Sequence, residues 1–207
     1  MLLQEVSPGS AAWSSFVGRG LTGAATPKIL QSLLMNLNFT GNRKKTMGII
    51  ESKLEKMGLS LPQTHPYEKP NRTACVQVGT ILYMSGHGPG RHPMPGGIKT
   101  HGKVGTEVTE EEAYQTARGV ALLMMASLKN AVGDRDRVKR VIRLLGMVNS
   151  ASGFERQFAV IDGASDLFFE LWGPDFGRHA RAAVGVAELP RRAVLEIMGE
   201  FEISEPK

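Results

Sequence analysis

A single cysteine in 207 residues, Cys75, rules out an intrachain disulfide and leaves no cysteine cluster for a metal. A reducing compartment, cytoplasmic or mitochondrial, is the reading that fits. Cys75 lies within Ala74-Cys75-Val76-Gln77-Val78, where alternation marks a strand and the thiol reads as a small buried hydrophobe rather than a nucleophile. Apolar runs are short: none approaches the roughly 18 residues of a membrane helix, so no membrane partner is expected. Aromatics amount to only 6%. The basic residues, Arg43-Lys44-Lys45 and the series Arg135, Arg137, Lys139, Arg140 and Arg143, are not interleaved with them. A net charge of +5 therefore gives little support for nucleic-acid binding.

The stretch from Gly86 to Thr106 is rich in glycine and proline but lacks the Gly-Lys-Ser/Thr ending of a phosphate-binding loop. No helix follows its early glycines, as a dinucleotide fingerprint would need. His87, His92 and His101 lie in it, at a spacing that matches neither a helix face nor a tight ligand pair, so no metal is expected. A loop this long inside a compact domain is usually functional or mobile.

With 42% hydrophobic residues the chain can bury a full core, and one domain (47–207) behind an extension (1–46) is the natural division. The extension is rich in Ser, Gly and Ala and carries Arg19, Lys28, Arg43, Lys44 and Lys45 against one acid, Glu5. A transit peptide, a dispensable extension and a true start at Met47 all fit that composition.

Helical spacing predicts a short helix over Met47–Met57, stopped by Gly58, then an irregular connection over Leu59–Asn71. Ala74–Val78 and Ile81–Ser85 flank Gly79-Thr80 and predict a hairpin. Thr109-Glu110-Glu111-Glu112 is a capping box, and the helix behind it runs to Gly133. Arg137–Asn149 reads as a strand. Ser152 and Glu155 predict a second capping box, followed by a helix through Phe158, Ile161, Ser165, Phe168 and Trp172 that stops at Gly173-Pro174. From His179 to Ile197 and beyond, two alternating runs around Leu189-Pro190-Arg191-Arg192 predict an antiparallel hairpin. The order β-β-α-β-α-β-β describes an α+β sandwich of two layers, with both long helices on one sheet face. Nothing in the chain covers the other face, so self-association is expected.

Arg181 sits mid-strand between alanines. Its guanidinium cannot be neutralised, and burying it unpaired would cost several kcal/mol. It therefore needs solvent, a carboxylate partner or an anionic ligand. A hairpin register would set Glu196 near Gly185, on the same face as Arg181 but about 13 Å away along the strand. Arg181 would then be free to grip a carboxylate bidentately, with Glu196 acting at the far end of the ligand or on a water. Pairing of Arg181 with another acid stays open.

The segments Ile81-Leu82-Tyr83-Met84-Ser85-Gly86, Gly102-Lys103-Val104-Gly105, Asp136-Arg137-Val138, Asp162-Gly163-Ala164-Ser165-Asp166-Leu167 and His179-Ala180-Arg181 through Glu188-Leu189-Pro190 resemble the Rid (YjgF, or endoribonuclease L-PSP) superfamily. The resemblance is to its branch with NGASDL and HARSAVGVASLP signatures, and it covers about residues 48 to 203. It implies a chorismate-mutase-like α+β fold assembled as a homotrimer with clefts between subunits. It also implies hydrolysis of reactive enamines and imines to a 2-keto acid and ammonia, with no cofactor. Arg181 would hold the substrate carboxylate, Glu196 would match the glutamate of the following strand, and Ser85 and Gly86 would line the cleft through their backbone. Ala183 stands where many members carry cysteine. The sequence departs from the pattern in three places: the cleft tyrosine aligns near Arg72, with Tyr67 too far back; Asp162 replaces asparagine; and His87 replaces a common glutamine. His179 is expected to border the cleft or pack at a subunit seam, and Asp162 to line the cleft or cap a helix. Ser85, His179 and Asp162 are a poor serine triad because no strand-to-helix elbow presents Ser85. An endoribonuclease and a non-catalytic trimer binding small carboxylates are the competing expectations.

Overall fold

The computed structural model describes residues 48–64, 70–90 and 98–205. The extension, Met47, Tyr67 and His92 lie outside them. A five-stranded mixed sheet in the order β1-β2-β5-β3-β4 forms one layer. Its strands are β1 (Cys75–Val78), β2 (Ile81–His87), β3 (Val138–Asn149), β4 (Ala180–Val186) and β5 (Leu195–Ile203). The helices are α1 (Ile49–Lys56), α2 (Glu110–Val132) and α3 (Gln157–Phe176). This is the α+β architecture expected, with α2 and α3 supplying the second layer.

Local signals account for much of it. The β1–β2 hairpin closes at Val78 opposite Ile81, around a Gly79 at φ 58° that a side chain would strain. Thr109 and Glu112 form the capping box: the Thr109 hydroxyl accepts from the Glu112 N–H at 3.2 Å, and the Thr109 N–H donates to the Glu112 carboxylate at 2.8 Å. One face of α2 then buries Ala113, Ala117, Val120, Met124 and Leu128, at the 3.6-residue period. Gly163 lets α3 approach the α2 backbone, since a Cβ there would stand 2.1 Å from the Tyr114 carbonyl oxygen.

The second capping box does not form. Phe154 closes a turn on Ala151 and packs beside Gly105, so α3 starts only at Gln157, with Arg156 as an N-cap that makes no side-chain capping bond. Phe158 consequently faces solvent instead of the core. Gly173 breaks α3 with φ 75° ahead of Pro174, where the stop was expected, and one further turn carries the chain to Gly177.

The terminal hairpin is also overturned. β4 does not pair with β5; it lies parallel to β3, with Arg181 beside Leu144, while β5 runs antiparallel between β2 and β3. The β3-α3-β4 unit is a crossover connection, and β4 becomes the sheet edge. Residues Leu195, Ile197, Gly199, Phe201 and Ile203 of β5 are buried under the helices. Glu196, Met198, Glu200 and Glu202 therefore face the other way. On that open face Val76, Tyr83, Val184 and Met198 are exposed.

Candidate functional site

The β3 register decides where Arg181 and Glu196 point. Leu144, buried beneath the helices, is level with both Arg181 and Gly199, so Arg181 lies on the helix face of β4. Met147 is level with Val184 and Glu196, so Glu196 lies on the open face of β5. The two residues are on opposite faces with β3 between their strands, which corrects the same-face expectation.

Arg181 meets α3. Its Nη1 donates to Asp162 Oδ1 at 2.6 Å and to Ser165 Oγ at 3.0 Å. Ser165 is itself held, because the His179 Nδ1–H donates to the Gly177 carbonyl at 2.7 Å, leaving Nε2 to accept from the Ser165 hydroxyl at 3.0 Å. The chain Gly177–His179–Ser165–Arg181–Asp162 thus fixes the guanidinium by one nitrogen. Among the described residues Nε and Nη2 make no hydrogen bond. The side chain keeps 21% of its surface exposed and Asp162 keeps 43%. Ser165 was legible only as one more helix-face residue; its place one turn after Asp162 is the signal that links the two.

Glu196 packs against Gly86. A Cβ on Gly86 would stand 1.9 Å from Glu196 Oε1, so the missing side chain is what admits the carboxylate. Glu196 makes no hydrogen bond or ion pair among the described residues, and its carboxylate is available to a water or ligand. Ser85 donates its hydroxyl to the Thr73 carbonyl at 2.7 Å. A bulge between Met84 and His87 turns His87 inward, where its Nδ1–H donates to the Ser85 carbonyl at 2.7 Å and Nε2 accepts from the Ser127 hydroxyl at 2.8 Å. Ala183 lies one pleat from Arg181 and packs against the core. The structure thus forms two groups: Arg181, Asp162, His179 and Ala183 at the β4 edge, and Ser85, Gly86, His87 and Glu196 around the β2 bulge. Ser85, His179 and Asp162 are not assembled as a triad, because His179 spends its ring nitrogens on Gly177 and Ser165.

Two other features bear on chemistry. Burial pushes the Cys75 thiol up to about 11, so it is inert at neutral pH. Glu51, Asp134 and Asp136 bring carboxylate oxygens within 4.8 Å of one another. A cation does not fit there, since the Arg135 guanidinium already occupies Glu51 at 2.8 Å and Asp136 caps α1 through the Ile49 and Ile50 N–H groups.

Burial holds both His87 and His179 below the usual imidazole range. Both rings stay neutral in the folded chain, while in the unfolded chain they protonate near pH 6.5. As pH falls the unfolded state binds more protons, so stability is full above about pH 6.5 and declines below it until the folded rings titrate too. Urea unfolding should show the midpoint dropping between about pH 7.5 and about pH 5.5, with a shallower drop in His87→Gln. An identical slope in that variant would exclude His87 as a contributor.

Residues 51–198 match the model of the family described as "YjgF/chorismate_mutase-like, putative endoribonuclease". Protein TCP17 of Trypanosoma cruzi is 38% identical over 157 residues, covering 76% of this chain and 96% of that protein. The crystal structure of Atu1372 from Agrobacterium tumefaciens, a protein of unknown function, superposes with a TM-score of 0.66 at 39% identity, covering 75% of this chain and 94% of that one. A "putative endoribonuclease" from Shewanella oneidensis gives a TM-score of 0.68 at 30% identity, covering 74% of this chain and 99% of that one.

Proposed function

Since the chain belongs to the YjgF/chorismate-mutase-like family, we propose that it hydrolyses reactive 2-imino and enamino acids to 2-keto acids and ammonia, without a cofactor, in a homotrimer. The observation that carries this reading is the tether of Arg181 through Nη1 alone, which leaves its Nε and Nη2 edge for a substrate carboxylate. Glu196 lies on the other face of the sheet, which supports a second half of the site drawn from outside this chain. It comes from a neighbouring copy, and the exposed apolar residues beside Glu196 are the surface that such a copy would cover.

An imine carbon is already electrophilic, so positioning supplies most of the catalysis. Arg181 fixes the carboxylate, and Glu196 takes a proton from a water as its oxygen adds to the imine carbon. With the imine entering protonated, that proton passes to the carbinolamine nitrogen; the carbon–nitrogen bond then breaks, ammonia leaves, and the hydroxyl gives its own proton to Glu196 as it becomes the keto oxygen. Backbone groups at Gly86 and Ala183 complete the cleft. RNA cleavage is less well supported: ion pairs such as Arg118–Glu170, Arg143–Glu200, Arg156–Glu110 and Arg192–Glu107 neutralise cations a polyanion would need.

The test is keto-acid release from 2-iminobutyrate and 2-aminoacrylate generated in situ. Turnover above the spontaneous rate supports the reading, and none at all, with binding retained, would make the protein a carboxylate-binding trimer instead. Gly86→Ala should displace the Glu196 carboxylate and lower the rate by about 10-fold or more with little change in melting temperature; a normal rate would remove Glu196 from the site.

A further inference from the structure

Asp162 sits against the one guanidinium that the proposed reaction needs, and its charge opposes simple anion binding. An Arg–Asp contact of 2.6 Å is neutral overall, so a ligand bringing only a carboxylate gains little attraction from it. The same pair suits a ligand bringing both charges. Asp162 uses Oδ1 on Arg181, and its Oδ2 makes no hydrogen bond among the described residues. Asp162 is the more exposed partner, at 43% against 21%, so its unused oxygen and the unused guanidinium edge are both within reach of solvent. Neither group is loose: Ser165 and His179 brace Arg181, and Arg181 braces Asp162. Arg156, whose charge also reaches Asp162, is occupied by Glu110 through Nε and Nη2 at 2.7 and 2.8 Å, so it does not compete for Oδ2.

We propose that Asp162 and Arg181 together read a zwitterion: Arg181 takes the carboxylate through Nε and Nη2, while Asp162 Oδ2 takes a protonated nitrogen on the adjacent carbon, an iminium or an ammonium. The inference rests on the Arg181 reading above and deepens it, making Asp162 the residue that separates a nitrogen-bearing substrate from its keto-acid product. In an α-amino or α-imino acid the carboxylate and the charged nitrogen are close neighbours, as are the guanidinium of Arg181 and the carboxylate of Asp162 that would receive them. After hydrolysis the nitrogen is gone, the product offers only an anion, and the neutral pair releases it.

Calorimetric titration with 2-aminobutyrate and 2-oxobutyrate tests this on the intact oligomer. The wild type should bind the amino acid about tenfold more tightly than the oxo acid or better. Asp162→Asn keeps an oxygen for Arg181 and removes the charge, so it should reverse the order, weakening the amino acid about tenfold and strengthening the oxo acid several-fold. Asp162→Ser provides a second variant should the first melt early. Loss of both affinities in parallel, or no change in either, would overturn the role of Asp162. Equal binding of both ligands by the wild type and Arg181→Ala, or no binding to the wild type at millimolar concentration, would overturn the Arg181 reading itself.

Discussion

Glu51→Ala is expected to destabilise the domain by about 3–5 kcal/mol, the cost of stranding a buried cation. Arg135 is only 2% exposed, and among the described residues Glu51 is the one hydrogen-bonding partner of its guanidinium, at 2.8 Å. Among the described residues its Nε and Nη1 lack partners, as does Glu51 Oε2, and the neighbouring carboxylates of Asp134 and Asp136 are already engaged on backbone N–H groups. The pair joins α1 to the 3-10 turn at Arg135–Arg137, where Asp136 also caps α1. Urea unfolding at neutral pH should register the loss as a lower midpoint, and a thermal melt as a drop of roughly 10 °C. The companion experiment removes both charges. Glu51→Ala with Arg135→Met leaves no stranded ion and should recover most of the loss, because well-packed apolar replacements of buried ion pairs are often neutral. If the single variant unfolds like the wild type, water reaches Arg135 and the pair is ornamental. If the double variant is as weak as the single, the loss is one of packing on α1 rather than of charge.

What the sequence reveals here divides by the distance over which each decision is made. The Thr109 box and the Gly79 turn were legible because every group that matters lies within four residues, and the structure keeps both. Ser152 and Glu155 carried the same local signal, yet Phe154 has a tertiary partner at Gly105, and packing that ring starts α3 beyond them. The last two strands show the limit more sharply. Their alternation correctly announced strands, and the residues between them looked like a turn. But β3 alternates equally well, and which strand lies beside β4 depends on how α3 crosses the sheet, not on the Leu189–Arg192 segment. That one choice of neighbour moved Glu196 to the other face. It also left Arg181 under α3, where Asp162 and Ser165 were waiting one helical turn apart. The open alternative of an internal acid for Arg181 named the right chemistry, but no local pattern could say which acid.

Arg181→Ala and Glu196→Gln should each lower 2-iminobutyrate turnover by about 100-fold or more, the first by releasing the carboxylate and the second by removing the proton acceptor. Taken singly these losses would not say where the two residues work, and the opposite-face geometry makes a sharper demand. If one cleft takes Arg181 from one copy and Glu196 from the next, a mixed oligomer of the two inactive variants contains some clefts with both native residues. Random assortment of equal amounts places an intact Arg181 beside an intact Glu196 in about a quarter of the clefts of a cyclic homo-oligomer. Co-expression of the two variants under separable tags, followed by isolation of the mixed trimers, each of which holds one complete cleft in three, should therefore restore turnover to about a third of the wild-type rate. Separately purified and simply combined variants should stay inactive unless the subunits exchange. A chain able to fold both residues onto one ligand by itself would show no recovery at all, because every copy would still carry one lesion. Recovery would thus establish the shared cleft from kinetics alone. Its failure, with both single variants inactive, would leave Arg181 and Glu196 essential and require a rearrangement of β4 that brings them to one side of the sheet.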